Sequence, residues 1–336
     1  MLTTSSHRHI TSTVGSVGAA VAVSKLMRLS PLQVQHAIGI AATQVTGLRD
    51  HFGTDTKSFH PGRAAQNGLL AAVLAQQECT ASPDALEAKR GWANCVSTRN
   101  NLDELFGEES LGKVWEIEKN AFKPFPCGIV AHPAIDACVQ LHGELTAKNI
   151  HRVQMPGMVQ SLQLRVHRLV IELTAKKTPK DGLEAKFSVF HGCAVALLYG
   201  EAGPAEYVDA LVSYPLVTMI RDKIEAEIEA SLEADQCEVT LKLKGKSSIA
   251  SRDIDVQSQD NIADLALRAD GSTMHKHIEH AVGSLEAPMT DSQLEKKFLD
   301  QCELVLGKYA KDVSDMCWKI EEADDVANFM RSLDGG

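Results

Sequence analysis

The sequence lacks the excess of basic residues that a nucleic-acid-binding surface requires. It has 34 Lys and Arg against 44 Asp and Glu, which gives a formal net charge of -10. Binding to a phosphate backbone depends on many Lys and Arg side chains that neutralise phosphates. We therefore expect no nucleic-acid partner. A small anionic substrate remains compatible with this composition, because a few local cations outweigh a global acidic balance.

Long apolar runs and paired cysteines are also missing. No stretch approaches the roughly 20 apolar residues of a membrane span, so we expect no membrane partner. The eight cysteines form no CxxC pair, which is typical of reduced core cysteines in an intracellular protein rather than of disulfides or a zinc site. The first residues show no secretory signal pattern. These features predict a cytoplasmic protein; a missing N-terminal targeting segment would make a mitochondrial location the alternative.

Several catalytic motifs are absent. The sequence contains no HExxH, no GxSxG, no P-loop and no GxGxxG followed by an acidic residue. The sequence therefore gives no support to a metallopeptidase, a serine hydrolase or a nucleotide-binding enzyme. We expect neither a metal ion nor an organic cofactor.

The hydrophobic pattern divides the chain into regions of helical period and a region of mixed strands and helices. Residues 12–78 follow a helical period, with Gly and Ala repeated every three or four positions, which favours closely packed helices. From residue 114 strand and helix patterns mix, and the helical period returns after Pro288. This order predicts a mostly α fold with an α+β insertion. The helical domain is assigned to 1–113 and 289–336, and a smaller α+β lid domain to 114–288.

Two segments interrupt otherwise regular patterns. Residues 154–161 break a strand pattern, and residues 247–261 separate two similar strand-plus-turn signals. Extra strands and loops, or an imperfect gene model, would both produce these interruptions.

Two groups of cationic and titratable residues lie in the N-terminal third. His9 directly precedes a Gly-rich helix, where an imidazole beside unpaired N–H groups favours carboxylate binding. Lys57, His60 and Arg63 fall within seven residues of a polar segment that reads as a loop ahead of the next helix. Such a set would bind a di- or tricarboxylate. The alternatives are an exposed histidine near a frayed terminus for His9 and a solvated basic turn for the residues 57–63.

Two further groups lie in the middle of the chain. Lys123 precedes a proline-stiffened turn, and His132 begins a helix. His191 lies near the start of an apolar helix. The alternatives are an exposed strand lysine for Lys123, a partly buried histidine for His132 and a core histidine for His191. A Cys127–His132 nucleophile pair is a further hypothesis, although nothing local visibly activates the thiol.

Taken together, these groups resemble the MmgE/PrpD family, which includes 2-methylcitrate dehydratase, cis-aconitate decarboxylase and iminodisuccinate epimerase. The matching stretches run in family order over nearly the whole chain: HITSTVGSVGAAVAVSKLMRLS, AIGIAATQVTGL, TKSFHPGRAAQNGLLAAVLA, FKPFPCGIVAHPAIDAC, GLEAKFSVFHGCAVAL and HAVGSLEAPMTDSQLEKKF. The resemblance implies a large helical domain with a smaller α+β lid, a homodimer and a cofactor-independent enzyme.

The resemblance also implies roles for individual residues. His9, Lys57 and Lys123 match the active-site histidine and two lysines of the family, so they are the catalytic candidates. The substrate-binding candidates match less directly: His60, Arg63, His132 and His191. The family carries an Asp- and His-containing motif well upstream of the His9 position. We therefore expect the chain to lack the N-terminal part of the family, and whether Met1 is the natural start stays open.

The leading functional hypothesis is a lyase of the dehydratase or decarboxylase type. It would act on a small di- or tricarboxylic acid, such as a 2-methylcitrate- or cis-aconitate-like substrate. In this hypothesis Lys57 and Lys123 neutralise charge, and His9 is the general acid or base. An epimerase or racemase of an aminodicarboxylate is one alternative, and a non-catalytic truncated homologue that acts through dimerisation is another.

Overall fold

The computed structural model describes residues 8–45, 47–98, 101, 112–245 and 270–333. Clustering of contacts divides the chain into two compact units, Met1–Lys119 and Asn120–Gly336. This division groups residues 289–336 with the second unit. Their expected membership of the first helical domain stays a prediction.

The first unit is helical. Its helices are α1 (Ile10–Leu26), α2 (Pro31–Ala42), α3 (Asp55–Gln76) and α4 (Trp92–Val96), and a 3-10 turn (Arg49–His51) connects α2 to α3. The three long helices pack on one another and bury small side chains: Ala20, Ala37, Ala41, Ala71 and Ala75. The sequence predicts one helix within each of the ranges 14–27, 32–48 and 64–77, and each range overlaps one of the three long helices.

The small residues set how closely α1 and α3 approach each other. A Cβ added at Gly68 on α3 would lie 2.4 Å from the Cβ of Ala19 and 2.6 Å from the backbone nitrogen of Ala20 on α1. No side chain fits in that space, so the helix backbones meet there directly. Asn67 beside this contact donates from its side chain to the hydroxyl of Ser16 and to the carbonyl of Gln44. The contact fixes the relative position of α1 and α3.

A Ser-Pro pair, with Ser as the cap and Pro at the first helical position, predicts a helix start at Ser30-Pro31 and at Ser82-Pro83. The two predictions have different outcomes. Ser30 caps α2 with a reciprocal capping box that includes Gln33, as the sequence predicts. Ser82-Pro83 is followed by turns and by no helix, so that prediction is wrong. The ring of His36 on α2 accepts a hydrogen bond from the backbone of Ala81, and Gln35 donates to the carbonyl of Pro83. These bonds hold the segment against α2 as a turn.

The described residues of the second unit combine helices with one mixed sheet. Its strands are β1 (Val159–Val166), β2 (Ile224–Ile228), β3 (Cys237–Leu243) and β4 (Thr273–Ile278), in the order β2-β1-β3-β4. β1 and β2 are parallel, and the other two pairs are antiparallel. The helices are α5 (His132–Ala147), α6 (Met155–Met158), α7 (Arg168–Thr174), α8 (Gly182–Ala185), α9 (Val189–Tyr199), α10 (Asp209–Val212), α11 (Pro215–Arg221), α12 (Asp291–Leu306), α13 (Tyr309–Trp318) and α14 (Val326–Leu333).

The core of this unit contains α5, α9 and the buried faces of the strands. The fold is thus predominantly α with a small α+β part, which confirms the predicted fold class. All eight cysteines are free, and Cys138 and Cys193 are buried in this core.

Local details differ from the sequence prediction. The pattern of residues 162–173 is typical of a β-rich stretch. Residues 162–166 do lie in β1, whereas 168–173 belong to α7, which His167 caps by accepting from the backbone of Leu169. The pattern of residues 204–230 predicts a helical stretch bounded by proline, but the chain there forms short helical pieces and then β2. Of the two interruptions, 154–161 forms α6 and leads directly into β1, whereas 247–261 lies outside the described residues.

Candidate functional site

His9 lies at the start of α1 in extended backbone geometry. Its backbone N–H donates to the carbonyl of Gly47 at 3.1 Å, and Arg8 forms an isolated β-bridge with Leu48. The imidazole packs edge-on against Phe52, with ring centroids 5.3 Å apart. His9 is therefore held on both its backbone and its ring, so it is not the frayed-terminus histidine that the sequence left as an alternative.

His60 contacts His9 directly. The two Nδ1 atoms are 3.0 Å apart, which is hydrogen-bond distance, and the ring centroids are 5.1 Å apart. His60 is only 5% exposed, whereas His9 is half-buried. A third ring, His51, lies 6.1 Å from that of His60. The first unit thus contains a cluster of three imidazoles.

Helix α3 places His60 and Lys57 in this cluster. The sequence predicts a loop here, but the helix already begins at Asp55, so that prediction is wrong. Pro61 lies inside the helix, and because it has no N–H it cannot donate to the carbonyl of Lys57. Asp55 in the first turn favours helix initiation through the helix dipole. The helix holds Lys57 and His60 on one side, since they are three residues apart.

Lys57 and Arg49 make the cluster strongly cationic. Burial is the largest cause of a lowered pKa at His9, and Lys57, His60 and Arg49 lower it further. The pKa of His60 is also lowered, first by burial and then by His51 and Lys57. In the part of the chain that the structure describes, neither Lys57 nor Arg49 forms an ion pair with a carboxylate. Within the described residues, the positive charge of the cluster is therefore not paired with a carboxylate, an arrangement that is suited to an anionic ligand.

Sequence reasoning missed Arg49, His51, Phe52 and Gly47. Arg49, His51 and Phe52 lie in the polar segment 49–68 that the sequence identifies as a site candidate, and Gly47 precedes it; no residue type or spacing singled them out. Gly47 has a φ of +102°, and a Cβ there would lie 2.7 Å from Ser12 and 3.4 Å from the ring of His60. Glycine is favoured at this position by both conformation and space. Arg63, in contrast, is exposed and donates to Gln66 one turn along α3.

Lys123 belongs to the second unit. Its ammonium group donates to the carbonyl of Cys127 at 3.2 Å. It lines a cavity of about 730 Å³ that lies between the 122–126 segment and the helices α12 and α13. Aromatic residues supply much of the wall: Phe122, Phe125, Phe298 and Trp318. The polar lining residues are Lys123, Glu295, Lys297, Gln301 and Ser314. This environment differs from the cationic cluster of the first unit.

His132 and Cys127 are buried near Lys123. Burial, followed by the charge of Lys123, lowers the pKa of His132 to about 4. Burial also raises the pKa of the Cys127 thiol to about 11. A thiol with this pKa is protonated at neutral pH, so the geometry disfavours a Cys127 nucleophile. The substrate-binding role of His132 stays a prediction.

His191 lies in the core of the second unit with no solvent exposure. Its Nε2 is 2.9 Å from the carbonyl oxygen of Glu206, and its ring packs against Tyr207. Burial lowers its pKa to about 4. A ring enclosed in this way does not reach a ligand in this conformation. The geometry fits the core histidine better than the substrate-binding role, which stays a prediction.

The structure thus groups His9, Lys57 and His60 in the first unit, and places Lys123, His132 and His191 in the second. Among the described residues, no three His, Cys, Asp or Glu side chains are arranged to hold a metal ion. Within the same residues, no helix has the length and apolar character needed to cross a membrane.

Comparison with known proteins gives matches over both units. The profile of the MmgE/PrpD N-terminal domain matches residues 1–105, and that of the MmgE/PrpD C-terminal domain matches residues 125–320. The human cis-aconitate decarboxylase is 24% identical over 297 residues, which cover 86% of this chain and 55% of that protein. The Salmonella typhimurium 2-methylcitrate dehydratase is 23% identical over 225 residues, which cover 65% of this chain and 45% of that protein.

A cis-aconitate decarboxylase from Aspergillus terreus is 32% identical over 141 residues, covering 40% of this chain and 29% of that protein. The chain spans 55% to 62% of the length of the human and mouse decarboxylases. The two domain profiles match in chain order and together cover most of the sequence. This chain therefore belongs to the MmgE/PrpD family.

Proposed function

We propose that this chain is a lyase that acts on a small di- or tricarboxylic acid by acid–base chemistry of lysine and histidine. The observation that carries the proposal is the cationic cluster of the first unit. There, the imidazoles of His9 and His60 lie 3.0 Å apart beside Lys57 and Arg49, with no carboxylate paired to either cation in the described part of the chain. The names of the relatives, cis-aconitate decarboxylase and 2-methylcitrate dehydratase, support this substrate class and this type of reaction.

Charge and donor chemistry support a carboxylate ligand. A guanidinium forms two parallel hydrogen bonds to a carboxylate, and an ammonium group adds a compact positive charge. Arg49 and Lys57 together would engage separate carboxylates of one substrate. Their charges would also stabilise the negative charge that develops at the reacting carbon. A substrate with a single carboxylate would use only part of the cluster.

The protonation state of His9 suits the role of general base. Its pKa is lowered by burial and by neighbouring cations, so the ring is neutral near pH 7. In a dehydration, His9 would take the proton from carbon, a C=C bond would form and hydroxide would leave; the proton held by His9 and this hydroxide together make up the water that is lost. In a decarboxylation, CO₂ would leave and a protonated group would return a proton to carbon. Both reactions use the same cations.

Lys123 and the homodimer belong to the proposal as well. A catalytic role of Lys123 is inferred from the family resemblance alone, and its surroundings in the second unit are largely apolar. Dimerisation is inferred from the family resemblance alone.

A binding experiment tests the ligand class without requiring turnover. Citrate, as a tricarboxylate, and acetate, as a monocarboxylate, would be titrated while the histidine resonances are followed by NMR. We expect citrate to shift the His9 and His60 signals at concentrations at least about tenfold below those of acetate. Lys57→Met would remove most of this difference, and Lys25→Met, on the exposed end of α1, is the matched control. Equal weak responses to both anions would overturn the proposed substrate class.

A further inference from the structure

The contact between His9 and His60 restricts where their protons are. At a separation of 3.0 Å, one Nδ1 must donate and the other must accept. Two imidazolium rings would place two N–H groups against each other, so the pair does not hold both charges. When both rings are neutral they must be opposite tautomers, because the donor carries its proton on Nδ1 and the acceptor carries its proton on Nε2.

The burial of the two rings decides which arrangement is useful. The donor of the pair has a free lone pair on Nε2 and can act as a base there. The acceptor has an Nε2–H and cannot. His60 is 5% exposed, whereas His9 is half-buried and so more accessible to a ligand. A basic Nε2 is therefore useful on His9 and would be largely enclosed on His60.

We propose that His60 is a positioning residue that accepts a hydrogen bond from His9 Nδ1–H at its own Nδ1 and thereby makes His9 Nε2 the base. This inference rests on the proposed function and assigns a role that goes beyond binding the substrate. The proton taken from the substrate carbon goes to His9 Nε2, while the C–H electron pair stays with the substrate. The His9 imidazolium that forms keeps its Nδ1–H bond to His60, which then becomes a charge-assisted hydrogen bond.

The remaining neighbours are consistent with this assignment. Lys57, Arg49 and His51 are donors or cations that face the pair. No carboxylate among the described residues is hydrogen-bonded to either ring. His60 therefore takes the place that an aspartate occupies in many His-based catalytic groups, without adding negative charge that would repel an anionic substrate. Gly47 packs against His60 and accepts from the His9 backbone, so one residue positions both rings.

The tautomers can be read by long-range ¹H–¹⁵N correlation spectra of the imidazoles in the full chain at pH 7.5. We expect His9 protonated on Nδ1 and His60 protonated on Nε2. The reverse assignment, or the same tautomer on both rings, would overturn the proposal. His51→Leu removes a neighbouring ring that makes no hydrogen bond to the pair, and we expect the two tautomers to persist in it.

Two substitutions at His60 separate hydrogen bonding from packing. His60→Gln offers a carbonyl oxygen that can accept from His9 Nδ1–H, whereas His60→Leu offers no acceptor. We expect His60→Leu to shift His9 towards the Nε2–H tautomer and to lower kcat about 100-fold with little change in KM. His60→Gln should restore the tautomer and most of the rate. Equal losses in both variants, with His9 unchanged in tautomer, would contradict the proposal.

The spectra also keep this inference distinguishable from the proposed function. If no polycarboxylate is turned over, the lyase proposal fails, yet the His9 and His60 tautomers are still measured. If turnover is found with the wrong tautomers, the lyase proposal stands and the role of His60 fails.

Discussion

His9 is positioned by the backbone of one short segment. Gly47 accepts from its N–H, the neighbouring Leu48 bridges to Arg8, and the ring of Phe52 packs on its imidazole. None of these contacts is a side-chain cap of α1. A general base requires a fixed geometry before it requires a suitable pKa. At the scale of single residues, the site therefore depends on the 47–52 segment as much as on its titratable groups.

Replacing Lys57 with Met should raise the pKa of His9. Lys57 lowers the pKa of both His9 and His60 by charge repulsion, so removal of its charge shifts both values up towards the ordinary value of 6.5. NMR titration of the histidine resonances measures this shift in the absence of substrate. Lys25→Met provides the control, because Lys25 is not among the groups that perturb either ring. A fall in the pKa of His9 in the Lys57 variant would contradict the charge cluster.

At the scale of elements, the approach of α1 and α3 is what brings His9 and His60 together. His9 precedes the first turn of α1, and His60 lies in the second turn of α3. Gly68, two turns further along α3, allows the helix backbones to meet. A change in this helix contact would therefore change the distance between the two imidazoles.

Gly68→Ala should destabilise the first unit by about 2 kcal/mol, a magnitude typical of overpacking. Its new methyl group would lie 2.4 Å from Ala19, and the helix backbones would have to separate. Gly62→Ala on the same helix is the matched control, since an added Cβ there has no atom within 4 Å. In that variant the higher helix propensity of Ala should leave stability unchanged or slightly increased. Urea unfolding measures both, and equal stability of the two variants would refute the close-packing account.

The sequence identifies most of these elements but not all of their boundaries. Small residues at helical spacing predict the three long helices, because that pattern follows directly from close packing. Pro61 and Gly62 favour a loop locally, and the tertiary contacts of α3 override this preference. The sequence likewise suggests His60 as a cluster member but not its contact with His9, since the two are 51 residues apart. Long-range contacts of this kind have no local signal.

At the scale of the whole molecule, buried neutral histidines make the second unit sensitive to acid. His132 and His191 have pKa values of about 4, whereas an unfolded histidine titrates near 6.5. Between these values the unfolded state binds protons that the folded state does not. The free energy of unfolding therefore has its full value above pH 6.5. It decreases as the pH falls towards 4, by an amount on the order of 3 kcal/mol per histidine.

Urea unfolding midpoints at pH 7.5 and pH 5 test this dependence. We expect the wild-type midpoint to fall at pH 5, and the difference between the two pH values to shrink in a His132→Gln, His191→Gln double variant. The variant is expected to be less stable at pH 7.5, so the comparison uses the difference and not the absolute midpoint. An undiminished difference would show that other groups carry the acid sensitivity.

The His9 cluster is proposed to catalyse a reaction of a small polycarboxylic acid. A ¹H NMR time course with cis-aconitate and with 2-methylcitrate in D₂O tests it most directly, with wild type and His9→Gln compared side by side. We expect wild type to consume one of these acids, and the product to identify dehydration or decarboxylation. We expect His9→Gln to be slower by about 100-fold or more. No consumption of either acid by folded wild-type protein, or equal rates in the two proteins, would contradict it.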